Sequence, residues 1–348
     1  MSPVADTVPT IAAPGPSGST RLLDLVVRIR SFGIIAALAL LVLVTTSVQP
    51  RFFSDQELIF VLGDTTIFAL LAIGETMVVL TRNVDLSVGS VLGLSAYLSA
   101  NLFGTHPGTS ILVVFLAGLG IGLACGLANG LLTTICRVPS LVVTLAMLYI
   151  IRGIDVWIVG GGEVVANTLP NAFIQIPQAT VAGIPVLAIV VAVVVGVVAY
   201  YLRSFRSGRD LYAIGSNPEA ARLAGIPVAR RVFMTFVVSG ALAGIAGVLW
   251  AARNETIDST AGTGYELAVI AAVVVGGVAI FGGSGSVVGA AVGALLLNTI
   301  NSSLYVLGVS AFWDQAIAGF LLLLAITIDR VINVQVTAAL RRRSRLGA

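Results

Sequence analysis

The chain has 348 residues, of which 57% are hydrophobic and 10% are charged, and its mean hydropathy is +1.05. Soluble domains have roughly 45–50% apolar and ~25% charged residues, so the composition excludes a soluble globular protein and predicts an all-α polytopic membrane protein. The net charge of +3 comes from 19 arginines, since the chain has no lysine. Most of them lie between or beyond apolar segments, which orients a membrane protein and does not indicate nucleic-acid binding.

Apolar segments follow one another along almost the whole chain. Crossing a bilayer core of ~30 Å takes about 20 mainly apolar residues. We predict ten transmembrane helices, with eight or nine as alternatives because several segments are short, glycine-rich and compatible with re-entrant structure. The segments are 32–48, 57–80, 86–103, 110–135, 138–159, 183–203, 232–251, 265–281, 286–305 and 311–328.

Both chain ends differ in composition from this transmembrane domain, which we assign to residues 21–330. Residues 1–20 are rich in Pro, Ser, Thr, Gly and Ala without apolar periodicity, and we predict a disordered tail. Residues 331–348 form a basic tail.

The arginines predict which side of the membrane each loop faces. With a cytoplasmic amino terminus, ten spans place Arg82, Arg137, the 204–231 loop and the basic tail inside, and the outside loops then contain only Arg51 and Arg253. Cytoplasmic loops carry an excess of basic residues. We therefore expect both termini in the cytoplasm.

A polar island at residues 203–231 holds six of the arginines. Within it, Asn217 is placed to cap a helix, Pro218 suits the first helical position, Glu219 meets the positive end of the helix dipole and Gly225 suits its end. This pattern predicts a short helix outside the membrane. It either binds a soluble partner or lies on lipid headgroups.

Two breaks interrupt the membrane pattern, at 81–90 and at 282–289. Asp85 and Ser87 are placed to cap the next helix, and Arg82 lies close enough in sequence to offset the Asp85 carboxylate. The alternative is a role in gating or substrate passage, because paired glycine-interrupted segments build transport pathways. The candidates for the pathway or its gating are Asn83, Asp85, Ser87, Gly89, Gly283, Ser284, Asn298 and Asn301.

Ionisable residues inside apolar segments are costly and face a cavity or another polar group. Candidates are Asp64, Glu75, Arg152, Asp155, Glu266 and Asp314. Arg152 and Asp155 are three residues apart, so they share a helical face and predict a structural ion pair. Asn298 and Asn301 suit either a neutral polyhydroxylated solute or hydrogen bonds between helices.

Glycines recur within one apolar segment, at positions 118, 120, 122, 126 and 130. Small residues allow helix backbones to approach closely in membranes, so we expect this segment to pack tightly against another helix.

The sequence has no motif that would make this chain an enzyme. Without lysine it lacks a phosphate-binding P-loop, and it has no zinc-protease, paired-cysteine or Gly-x-Ser-x-Gly motif. We therefore predict no catalytic residue, no cofactor and no metal site, and expect any ATP hydrolysis to occur on a separate chain.

Three motifs in order resemble those of the permeases of bacterial ABC importers for ribose and related monosaccharides, a family that includes the autoinducer-2 permeases. They are Leu80–Ser90, Tyr212–Ile226 and Gly276–Ser286, and the resemblance extends over residues 32–330. It implies a type II-like importer permease in the bacterial inner membrane. Ribose permeases usually have Gly-Gly-Ile-Asp where this chain has Thr81-Arg82-Asn83-Val84-Asp85, which is more similar to the autoinducer-2 and rhamnose branches.

The resemblance also implies how the subunit is assembled and driven. The Glu-Ala-Ala-x-x-x-Gly pattern is similar to the coupling helix that docks on an ATPase, with the residues Asn217, Glu219, Ala220, Ala221, Arg222 and Gly225. The implied partners are two ATPase subunits or a two-domain ATPase, an extracytoplasmic sugar-binding protein, and a second permease copy or paralogue. The alternatives are a secondary transporter driven by an ion gradient and an intramembrane enzyme.

Overall fold

The structure, a computed structural model, describes residues 18–310, 313 and 315–327. The helices are α1 Gly18–Val48, α2 Asp55–Leu80, α3 Val88–Thr105, α4 Ile111–Thr134, α5 Ser140–Val159, α6 Asn171–Ile174, α7 Val186–Ser204, α8 Arg206–Ser216, α9 Pro218–Leu223, α10 Val228–Asn254, α11 Tyr265–Val275, α12 Val287–Val306 and α13 Gln315–Thr327. Short 3₁₀ turns span Pro50–Phe53, Ala166–Thr168 and Ile176–Gln178, and the strands are β1 Thr180–Val181 and β2 Ile184–Pro185.

Each of the ten predicted apolar segments contains a helix, which confirms the polytopic all-α fold. Among the described residues, α2, α4, α5, α7, α10 and α12 are long and apolar enough to cross a membrane. The predicted tail 1–20 lies outside the described residues up to position 17, and positions 18–20 belong to α1. The predicted basic tail 331–348 and Asp314 also lie outside them.

The predicted span 265–281 is only a half-length helix. α11 has 11 residues and ends at Val275, so it rises roughly 16 Å at 1.5 Å per residue, about half of a bilayer core. The chain turns at Gly277, whose φ of +98° lies in the left-handed region that glycine adopts without strain. The predicted span is therefore a half-length helix that ends before the second glycine-rich break.

Two long helices, α2 and α10, form the centre of the bundle. In the most apolar 18-residue stretch of each helix, 67% of the residues of α2 and 61% of those of α10 are buried, whereas only 17% of those of α7 are buried. α3 packs against α10 and α12 packs against α2. Contacts of α2 with α10, α12, α7 and α11 explain why α2 is buried continuously from Thr65 to Leu80. The outward faces of α4, α5 and α7 are apolar, as expected for lipid or another transmembrane subunit.

α4 and α10 cross at glycines, as the repeated glycines predicted. A Cβ atom at Gly122 would overlap the carbonyl oxygen of Gly240, and one at Gly244 would overlap that of Gly118. Gly126 and Gly130 also face α10 closely. Gly120 is the exception, because a Cβ atom there would have open space around it. The glycines that contact α10 are four residues apart along α4, and Gly120 does not lie on their face of the helix.

Residues 160–185 form a compact layer over one end of the bundle. β1 and β2 pair as an antiparallel hairpin, and Val164 bonds Ile257 through two backbone hydrogen bonds of 2.9 Å. Phe173 is fully buried and packs against Phe103 of α3, with ring centroids 5.0 Å apart. The loop is therefore packed on the bundle.

We predict that Gly122→Ala destabilises the protein by about 1–3 kcal/mol, because the added methyl group must separate α4 from α10. The matched control is Gly120→Ala on the same helix, which should leave stability unchanged or raise it slightly. Thermal unfolding of the purified variants measures both. Equal melting temperatures for the two variants would contradict the observed crossing.

Candidate functional site

The three sequence motifs meet in space at one junction, formed by Leu80–Arg82, Gly215–Ser216 and Gly282–Gly285. The Arg82 guanidinium donates through Nε to the Gly215 carbonyl and through Nη2 to the Ser216 carbonyl, the latter at 2.7 Å. The Gly283 amide donates to the Leu80 carbonyl at 3.0 Å. The three-motif junction therefore joins the end of α2, the end of α8 and the second break.

Glycines make this junction possible. A Cβ at Gly215 would overlap the Leu80 carbonyl oxygen, and one at Gly283 would lie 2.7 Å from the Ser216 amide nitrogen. Arg82 itself has a φ of +64°, a conformation that costs free energy for a residue with a side chain. Its hydrogen bonds to the end of α8 hold it there.

Tyr212 closes the junction from the side of α8. Its hydroxyl donates to the Gly285 carbonyl at 3.2 Å. Partial burial raises the pKa of this phenol above its usual value. α8 is thereby tied to both breaks.

The first break is held by a buried network around Asp85, which is 1% exposed. Oδ1 of Asp85 accepts from the Ser87 amide at 3.0 Å and the Ser87 hydroxyl at 2.6 Å, and Oδ2 accepts from the Ser239 hydroxyl of α10 at 3.2 Å. Asn129 of α4 donates to the Ser87 hydroxyl at 2.8 Å. The network links the start of α3 to α4 and α10.

The structure corrects two expectations at this break and supports another. Asp85 does accept hydrogen bonds from the Ser87 amide and hydroxyl at the start of α3, but the Ser87 side chain, which was expected to cap α3, bonds no amide of that helix. Arg82 does not offset Asp85, because its guanidinium turns to the α8 carbonyls. The backbone amide of Asp85 donates to Oε1 of Glu75 in α2 at 3.1 Å, and Oε2 of Glu75 has no hydrogen-bond partner among the described residues.

The remaining break candidates have distinct positions. Asn83 donates to its neighbour Thr81 and lines a cleft of about 1070 Å³. Gly89 lies against Gly262 and Glu266, where a side chain would not fit. Ser284 is exposed, and its carbonyl accepts from Ala279.

The large cleft lies beside α9 and is basic. Among the residues that the structure describes, its lining includes the arginines Arg82, Arg137, Arg222 and Arg230 and no carboxylate. It belongs to the side of the bundle where the positive-inside rule predicts the cytoplasm. The cleft therefore suits acidic or hydrogen-bond-accepting groups of a partner.

α9 has the capping that the sequence predicted. Asn217 Oδ1 accepts from the Glu219 and Ala220 amides, both at 3.1 Å, and Pro218 occupies the first turn. At the other end Gly225 has a φ of +78°, and the Ile226 amide bonds the Ala221 carbonyl at 3.0 Å.

The faces of α9 divide the predicted docking residues. Ala221 is 4% exposed and packs among Val78, Ile214, Val232 and Phe236, so it anchors α9 to the bundle rather than facing outward. Glu219, Ala220 and Arg222 are exposed, and Arg222 pairs with Glu219 at 3.1 Å.

Leu223 was missed by the sequence analysis. Its side chain is 90% exposed at the end of α9, next to the exposed Arg222. The sequence does mark it as an apolar residue in a polar helix, but only the structure shows that Ala221 takes the buried face.

A second cavity, of about 490 Å³, lies between α2, α10, α11, α12 and α13. Asn298 and Asn301 both line it. Asn298 is committed to helix packing, because its amide donates to the Val61 carbonyl at 2.8 Å and the Thr65 hydroxyl at 3.1 Å. The aromatic residues Phe68, Trp250 and Tyr265, which the sequence analysis did not single out, form part of the wall.

The intramembrane charges are mostly paired. Asp64 forms an ion pair with Arg253 at the edge of this cavity, a partner 189 residues away that local sequence did not reveal. Arg152 and Asp155 lie 3.6 Å apart, as predicted, but Arg152 Nη1 also donates to the carbonyls of Ser259 and Ala261, at 2.9 and 2.7 Å. Arg152 thus holds the loop that leads into α11.

A family model described as branched-chain amino acid transport system / permease component matches residues 57–326. The ribose import permease protein RbsC of Escherichia coli strain K12 is 36% identical over 295 residues, which are 84% of this chain and 91% of RbsC. The autoinducer 2 import system permease protein LsrC is similar too. LsrC of E. coli K12/DH10B is 34% identical over 314 residues, 90% of this chain and 91% of LsrC. LsrC of Salmonella typhimurium LT2 is 36% identical over 312 residues, 88% of this chain and 89% of LsrC. No solved structure matches the chain significantly.

We predict that Asp85→Ala destabilises the protein by about 1–3 kcal/mol, because it removes the acceptor of the buried Ser87 and Ser239 hydroxyls. Asp85→Asn keeps an acceptor oxygen and should cost less. Asp55→Ala, at an exposed site in the first turn of α2, is the matched control. Thermal unfolding that ranks Asp85→Ala with the control would show that the network does not hold the break.

Proposed function

The chain belongs to the family of branched-chain amino acid transport system permease components, and on this premise we propose that it is the membrane-spanning subunit of an ATP-driven, binding-protein-dependent importer. Its solute is a monosaccharide or a similar small polyol-like compound. The proposal rests chiefly on the coverage of 84–90% by relatives named as ribose and autoinducer-2 import permeases. The chain itself is a permease and not a catalytic subunit.

The ATPase would dock on α9 from the cytoplasm. Glu219, Ala220, Arg222 and Leu223 are exposed together, while Ala221 fixes the helix to the bundle. A small exposed alanine lets a partner approach closely, Leu223 fills an apolar pocket, and the charged pair sets the register. The neighbouring basic cleft would receive acidic groups from the rim of the same partner.

Movement of α9 would reach the bundle through the three-motif junction. α8 and α9 are consecutive, and Arg82, Tyr212 and Gly283 join the end of α8 to both breaks. Closure of the ATPase dimer would shift α8 with α9 and move α2 and α12 together, switching access by rigid-body motion. The residues at which the two breaks would bend or oppose this motion are Asn83, Asp85, Ser87, Gly89, Gly283 and Ser284.

The other partners follow from the surfaces that remain. With both termini in the cytoplasm, the compact 160–185 layer faces outward and suits a solute-binding protein. The apolar outward faces of α4, α5 and α7 would meet lipid and a second permease, either a copy or a paralogue. These placements describe a bacterial inner-membrane importer.

The function is tested by uptake in proteoliposomes. The permease reconstituted with the proposed partner ATPase and solute-binding protein, cloned from the same genome, should accumulate D-ribose or a related sugar only when ATP and all three proteins are present. Uptake by the permease alone, driven by an imposed proton or sodium gradient, would contradict the proposal and support a secondary transporter.

We predict that Leu223→Asp and Glu219→Arg each lower ATPase co-purification at least tenfold. Leu223→Asp puts a carboxylate into the proposed apolar contact, and Glu219→Arg replaces one partner of the charged pair that sets the register with a like charge. The matched control is Val181→Asp, which places an aspartate at a side chain in β1 that is 59% exposed, at the end of the bundle opposite α9. It should leave ATPase co-purification unchanged. All variants should remain in the membrane. Unchanged co-purification and uptake in both α9 variants would remove α9 as the docking helix.

A further inference from the structure

The 490 Å³ cavity has the size and wall chemistry of a small-molecule site. Ligand sites usually measure ≈300–1,000 Å³ and combine apolar or aromatic walls with a few polar groups. We infer that this cavity binds a neutral polyhydroxylated solute directly, as one station of the pathway. The inference rests on the proposed function for the transport role, but solute binding here can be measured without it.

One wall is aromatic and held rigid by its own contacts. Phe68 and Tyr265 stack with ring centroids 4.6 Å apart, and the Trp250 indole donates to the Tyr265 hydroxyl at 3.2 Å. Aromatic faces carry partial negative charge, which attracts the positively polarised C–H groups on the face of a sugar ring. The wall therefore offers stacking area that needs little ordering when a solute binds.

Other lining groups supply uncommitted hydrogen-bonding capacity. Asn301 is half-buried and Gln315 is exposed, and neither side chain makes a hydrogen bond among the described residues. Each amide has two donor hydrogens and an acceptor oxygen, the pattern that matches a ring of hydroxyl groups. Asn298 differs, because its donors are used between α12 and α2.

The charges select a neutral solute. Asp64 and Glu266 are carboxylates of the lining, and none of its described residues is an arginine. Asp64 is already neutralised by Arg253, and Arg152 interacts electrostatically with Glu266. Because these carboxylates are paired, the described lining has little net charge and offers no unpaired cation to a phosphate group, so phosphorylated sugars are disfavoured. A lipid tail would leave the amides and carboxylates without partners.

Trp250 provides a direct readout, because it lies in the cavity wall. Trp157 and Trp313 are 80% and 59% exposed and do not line the cavity, so Trp157→Phe with Trp313→Phe leaves Trp250 as the reporter. This variant, purified in lipid nanodiscs, is titrated with D-ribose, D-xylose and L-rhamnose, and with D-ribose 5-phosphate. We expect saturable fluorescence change with at least one neutral sugar and at least roughly tenfold weaker binding of the phosphate ester.

Asn301→Leu and Gln315→Leu, made in the same background, should each weaken sugar binding roughly 3- to 10-fold, the effect of losing one hydrogen bond. Asn101→Leu is the matched control, since Asn101 is a half-buried asparagine of α3 outside the cavity. No saturable change with any neutral sugar, or equal affinity in the three variants, overturns the inference.

Uptake by the complete importer separates this inference from the proposed function. ATP-driven uptake that is unaffected by Asn301→Leu and Gln315→Leu would leave the importer standing and reject the cavity as its solute site. Sugar binding that is weakened by both variants, without any ATP-driven uptake, would uphold the cavity and reject the importer.

Discussion

The hydrogen bonds from Arg82 to the end of α8 are the constraint on which the rest of the structure depends. The guanidinium satisfies the carbonyls of Gly215 and Ser216, which the helix itself leaves unpaired. A charged donor makes these bonds stronger than ordinary ones and holds Arg82 in a left-handed conformation. The reversal of the chain after α2, the seating of α8 and the approach of Gly283 all meet at this side chain.

α2 connects this junction to the 490 Å³ cavity. Phe68 lies in the cavity wall and Leu80 lies in the junction, 12 residues or roughly 18 Å further along one continuous, buried helix. α10 runs beside it, with Ser239 in the Asp85 network and Trp250 in the cavity. Two packed helices would therefore transmit motion between the surface proposed to bind the ATPase and the cavity proposed to bind the solute, without a flexible linker.

The sequence predicted what depends on local pattern, and missed what depends on distant partners. Apolar length located the ten helical segments, and the Asn217-Pro218 pair together with Gly225 located α9, because spans and caps are local features. The interpretation of Arg82 as a partner of Asp85 was wrong, because its true acceptors lie 133 and 134 residues away. Local sequence likewise did not reveal the partner of Asp64 or the outward position of Leu223. The predicted span 265–281 was longer than α11, because the apolar composition continues past the glycines that end the helix.

The most direct test of the account is the coupling ratio of Arg82→Gln in the reconstituted importer, measured as sugar taken up per ATP hydrolysed. Glutamine cannot span both α8 carbonyls, whereas the α9 surface that would bind the ATPase is unchanged. Arg82 also lines the basic cleft, so any weaker ATPase association lowers uptake and hydrolysis together and leaves their ratio unchanged. The account predicts hydrolysis that continues while the sugar taken up per ATP hydrolysed falls at least tenfold. An unchanged ratio of uptake to hydrolysis would contradict it.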